Sequence, residues 1–147
     1  MRNPLEENLC AQQMECHPFL PFRYDSLSVG FGDSINQMTL RELTAIAEDE
    51  VRKAQAELPD EIRECLSKVP VFLEGRPSSN DFLPLDTLGV FEEGAPIPRI
   101  RIWLANLWDY AEADERTFRE EVRVTLLHEI GHALGWDEEE VRQRGLE

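Results

Sequence analysis

From Thr39 onward the apolar residues of the chain recur at helical spacing. Leu43, Ile46, Ala47, Val51, Ala54 and Leu58 share one face until Pro59 interrupts it. Thr39 and Glu42 have the form of a capping box, so the pattern predicts a helix over about 39–58. Asp60 is placed to cap a short second helix, 61–66, and the β-formers of 69–73 predict a first strand. Between Gly75 and Pro98 four prolines and three glycines predict mostly loop, with one short strand around 88–91. Ile100, Ile102 and Leu104 then alternate with Arg99, Arg101 and Trp103, the period of a half-buried strand over 99–104.

A second amphipathic helix follows. Phe118, Val122, Leu126, Leu127, Ile130 and Leu134 form its apolar face. Either Asp114 or Thr117 can start it, and Gly135 ends it. Asp137 and Glu140 are spaced to cap a last short helix running through Val141 to Arg144. Residues 1–37 carry Pro4, Pro18, Pro21, Gly30 and Gly32 without a sustained period, and read as an irregular extension before a domain at 38–147.

The helix over 114–134 also carries candidate chemistry. His128 and His132 stand four apart, so their imidazoles leave the same face about 6 Å apart along the axis and can converge on one metal ion. Glu129 lies about 100° round the helix from His128, where it can hold a water on the metal and take its proton. Zinc with three protein ligands brings its water to a pKa near 7, and the reaction this serves is hydrolysis without a covalent intermediate. A third ligand requires the chain to turn after His132. Gly135 supplies that turn and brings the acidic trio Asp137, Glu138 and Glu139 back toward the metal. The only other histidine is His17, far off in the extension.

Composition narrows the partners. Thirty acidic against 15 basic residues give a formal charge of −15, which repels nucleic-acid phosphates and anionic lipid surfaces. No window approaches the roughly 20 apolar residues that cross a bilayer, and the N-terminus lacks the apolar stretch of a secretion signal. Three cysteines cannot all pair within one chain, and Cys10, Cys16 and Cys65 fit no zinc spacing. The expectation is a soluble protein of a reducing, cytoplasmic compartment.

The stretch His128-Glu129-Ile130-Gly131-His132-Ala133-Leu134-Gly135-Trp136-Asp137-Glu138 resembles the zincin pattern HExxHxxGxx followed by a third ligand. More narrowly, Met38 to the C-terminus resembles the small bacterial zincin-like metallopeptidases, through Glu57-Leu58-Pro59-Asp60-Glu61-Ile62-Arg63, the strand Ile100-Arg101-Ile102-Trp103-Leu104 and the closing helix motif. Members often carry Asp where this chain has Glu138. Larger relatives add a methionine turn, whereas here no Met follows Met38.

That resemblance implies a minimal zincin-like α+β fold, with a small mixed sheet of about four strands on the long N-terminal helix and the HExxH helix. It implies Zn2+ as cofactor and peptide or protein as substrate. His128, His132 and Glu138 are the expected ligands and Glu129 the base, with Asp137 the competing third ligand if it does not cap the last helix. A cleft is expected between strand 99–104 and the histidines, that strand lying at a sheet edge. Tyr110 or Tyr24 is a candidate oxyanion stabiliser, and Cys16-His17 a candidate inhibitory ligand. Trp103, Trp108 and Trp136 are expected as core or cleft walls. The rival reading is a zinc-stabilised binding or regulatory module without turnover. Oligomeric state is not encoded in any of these patterns.

Overall fold

The computed structural model describes residues 38–94 and 96–145. The extension 1–37, with Cys10, Cys16, His17 and Tyr24, lies outside the described residues. Helix α1 (Leu40–Glu57) begins with the reciprocal cap: the Glu42 N–H donates to Thr39 Oγ1 at 3.3 Å, and the Thr39 N–H donates to the Glu42 carboxylate at 2.8 Å. Its buried face is Leu43, Ala47, Val51 and Ala54. Helix α2 (Asp60–Leu66) differs from expectation at its start. Pro59 takes the cap position without a side-chain bond, and Asp60 is instead the first helical residue, ion-paired with Arg63.

Strands β1 (Val71–Glu74), β2 (Gly89–Glu92) and β3 (Arg99–Trp103) form one mixed sheet in the order β1-β3-β2. β1 runs parallel to β3 and β2 antiparallel to it. The described residues thus hold three strands rather than about four, and β3 is central rather than at an edge. Alternation reports which face of a strand is buried and says nothing about how many neighbours the strand has.

Ile100 and Ile102 enter the core, while Arg101 is on the other face at 12% side-chain exposure. It bonds Glu74, Asp81 and Glu92, and its guanidinium lies 5.0 Å from the Trp103 ring centre. Asp81 ends a single 3-10 turn, Ser79–Asp81, and is pulled down to about 2 by the Ser78 N–H and by Arg101.

Helix α3 (Leu104–Tyr110) follows β3 without a break, and sequence reading missed it. Trp103 serves as last strand residue and as cap without a side-chain bond, so no start signal separates the two, and Leu104 continued the strand alternation. Helix α4 (Glu115–Ala133) is capped by Asp114, which accepts from the Thr117 N–H at 2.8 Å. Phe118, Val122, Leu126 and Ile130 bury its inner face against α1, α3 and the sheet. Helix α5 (Glu138–Gln143) closes the described chain. No described helix is long and apolar enough to cross a membrane.

Candidate metal centre

The last turn of α4 aligns two imidazoles. His128 Nε2 and His132 Nε2 are 3.0 Å apart, and Glu138 closes a triangle with oxygens 3.3 Å from the first and 3.1 Å from the second. Donors about 2.0–2.1 Å from a tetrahedral zinc stand about 3.3 Å from one another, so the donor set and its spacing fit that ion. Both histidines are about a quarter exposed and Glu138 mostly exposed, leaving the triangle open to solvent.

Each member of the acidic trio has a distinct task. Gly135 takes φ +85, a left-handed conformation that turns the chain at low steric cost, and the Trp136 N–H returns to the Gly131 carbonyl at 3.0 Å. Asp137 then caps α5 in a reciprocal box with Glu140, at 2.9 Å in both directions. Glu139 pairs with Arg142 and Gln143. That leaves Glu138, the first residue of α5, directed at the histidines.

The turn also sets the tautomer. His132 Nδ1 lies 2.9 Å from the Trp136 carbonyl, which can only accept, so Nδ1 carries the proton and Nε2 presents its lone pair. Trp136 is held in turn: its ring packs on Gly131, and the Arg144 guanidinium stacks 4.1 Å from the ring centre. A Cβ on Gly131 would meet Val141 Cγ2 at 2.9 Å and Trp136 Cε3 at 3.1 Å. Glycine inside the motif is what lets α5 lie against α4.

Glu129 is 7% exposed, and its side chain meets β2 beside the donor triangle, near enough to His128, His132 and Glu138 to feel their charge. Burial raises its pKa; the neighbouring imidazoles and the Phe91 N–H, which donates to it, oppose the rise. A carboxylate raised in this way is a better proton acceptor than an exposed one.

Sequence reading did not find the contribution of β2. Gly89 and Phe91 approach Glu129, so β2 rather than β3 is the strand beside the site. Gly89 falls within the short strand expected at 88–91, but its close approach to Glu129 is a tertiary contact that leaves no local signal. Tyr110 is 63% exposed on α3 and lines a separate cavity whose walls include none of these four residues, so it is not placed as an oxyanion donor. Trp103 is fully buried, and Trp108 packs edge-on against Phe118. Cys65 is half-buried on α2.

Compared with known proteins, residues 66–146 match the family described as zincin-like metallopeptidase. No curated protein matches the chain.

Proposed function

Because the chain belongs to the zincin-like metallopeptidase family, we propose that it is a zinc-dependent peptidase whose working unit is 38–147. His128, His132 and Glu138 would hold the ion, and Glu129 is the general base. The observation that carries this is a pair of features: three donors at 3.0–3.3 Å, one short of closing a tetrahedral site, and a buried carboxylate beside them that is not one of the three. A purely structural site is ordinarily closed by four protein ligands and has no use for such a base.

Zinc, when bound, supplies a Lewis acid that acidifies water and polarises a carbonyl. Glu129 accepts the proton of the attacking water and returns it to the leaving amine. The Phe91 N–H fixes one of its oxygens, and the Trp136 carbonyl fixes His132.

A peptide is the substrate class that suits the neighbouring strand. The Trp103 N–H bonds the Leu88 carbonyl at 2.9 Å, and Gly89 pairs with Ile102 and Phe91 with Ile100. By the alternation of an antiparallel ladder, Gly89 and Phe91 turn their N–H and C=O groups away from β3. The Phe91 N–H goes to Glu129, which leaves the Gly89 groups and the Phe91 carbonyl for a pairing chain. An extended chain can pair with that edge and bring an amide to Glu129.

Metal analysis after zinc loading, together with Glu129→Gln, tests the reading. About one zinc per chain is expected, with peptide cleavage by the wild type, and Glu129→Gln should keep zinc while losing cleavage by on the order of 100-fold or more. Stoichiometry near zero would refute the site. Zinc binding with no cleavage from a diverse peptide library would favour the non-catalytic binding module.

A further inference from the structure

The cavity of about 490 Å³ between α3 and the chain leading into β2 has no part in the chemistry above. Leu85, Leu88 and Tyr110 give it apolar walls, and Leu85 and Tyr110 stand 71% and 63% exposed. Phe82, 94% exposed, projects from the same loop. Single exposed apolar side chains are ordinary, but a group of them on a fixed loop marks a contact surface.

This loop is fixed. Ser78 and Asp81 cap each other, and Arg101 holds Asp81 at 2.8 Å. The Asn106 amide donates to the Leu85 and Thr87 carbonyls at 2.8 Å each. Phe82 is even held at φ 54, a conformation that side chains resist.

The charge in the wall is uneven. Arg76 is committed to Asp109 at 2.5 Å and to Asn106 at 2.8 Å. Asp86, also in the wall, has no side-chain partner among the described residues, so the cavity keeps one unbalanced negative charge on a chain that is itself −15.

Its position links it to the strand edge. Leu88 directly precedes β2 and lies three residues before Phe91, whose N–H meets Glu129. At about 3.3 Å per residue that is about 10 Å. A peptide paired antiparallel to β2, the more stable ladder, would run from Phe91 toward Leu88. Its residues beyond the cut, on the C-terminal side, would then reach the cavity.

Resting on the peptidase reading, we propose that this cavity is a substrate subsite for a Lys or Arg side chain about three residues C-terminal to the scissile bond. The aliphatic stem lies on Leu85, Leu88 and Tyr110, and the cationic head meets Asp86.

Two pools of fluorescein-labelled dodecapeptides test it, degenerate in their first eight positions and carrying Lys in one pool or Glu in the other through the last four. Binding to zinc-loaded Glu129→Gln is read by anisotropy, and cut sites made by the wild type are read by mass spectrometry. The Lys pool should bind roughly 5–10-fold tighter, the scale of one favourable charge contact. Asp86→Asn combined with Leu85→Ala should abolish that preference and raise KM with little change in kcat, zinc content staying constant. Equal binding of the two pools, or a Lys preference that survives the double substitution, overturns the subsite. If the preference appears and is lost as expected but the wild type cuts nothing, the peptidase reading fails while the cavity stands as a binding site. Cleavage without a basic residue beyond the cut removes the subsite alone.

Discussion

Gly89→Ala is the sharpest probe of how β2 meets helix α4. A Cβ there would lie 2.6 Å from Thr125 Cγ2, 3.3 Å from Glu129 Cγ and 3.4 Å from the Arg101 carbonyl oxygen. Comfortable carbon contacts are about 3.5–4.0 Å, so the methyl overlaps Thr125 by about 1 Å, and Thr125 is itself buried. Overpacking of this kind costs about 1–3 kcal/mol, against about 0.5–1 kcal/mol gained by removing a strand glycine. The expected net loss is about 1–2 kcal/mol. Thr125→Ser deletes the colliding methyl and keeps the hydroxyl; alone it should lose about 0.5–1.5 kcal/mol. The double variant should recover about 1–2 kcal/mol relative to the sum of the singles. Urea unfolding of the zinc-free proteins gives all four free energies. Additivity within about 0.5 kcal/mol, or a Gly89→Ala protein as stable as the wild type, would refute the contact as the reason for glycine at this position.

Two further expectations separate roles within and beyond the site. Glu138→Ala should weaken zinc binding by at least on the order of 100-fold, whereas Asp137→Ala should retain zinc and lose about 1 kcal/mol of stability with its cap; competition with a chromophoric chelator, beside melts of the zinc-free forms, reads both, and the reverse pattern would make Asp137 the ligand. Asp81 is held near 2 in the fold against an ordinary 3.8, so its contribution is complete above about pH 4 and is lost as pH falls toward 2. That loss amounts to about 2 kcal/mol, and Asp81→Asn should flatten this part of the stability profile; an unchanged slope in urea unfolding between pH 5 and 2.5 would show that the Ser78 and Arg101 bonds are not what lowers Asp81.

What was legible in the sequence was local. Thr39 with Glu42, Asp114 with Thr117 and Asp137 with Glu140 mark helix starts by bonds that span three residues. His128 with His132, followed by the glycine turn at 135, needs nothing beyond helical geometry to suggest a metal edge. The nonlocal features were hidden. The central position of β3, the approach of Gly89 to Thr125 and the seat that Gly131 gives Val141 and Trp136 are pairings between segments, and no window of sequence contains both partners of the first two. Helix α3 was hidden for another reason: it opens on Trp103, a residue already counted in a strand.

The three donor groups of the triangle sit on residues 128–138, consecutive along the chain and outside the core built from Val51, Ile100, Leu107 and Phe118. An ion there closes only a very short ring of backbone, and the freedom that cross-linking removes from an unfolded chain grows with the length of the ring. The turn is already shut by the Trp136–Gly131 bond and by the α5 cap. Metal supply would then govern how many molecules are chemically competent and leave the number of folded ones nearly unchanged, so that loading can wait until folding is finished and an ion can be lost and regained without unmaking the domain.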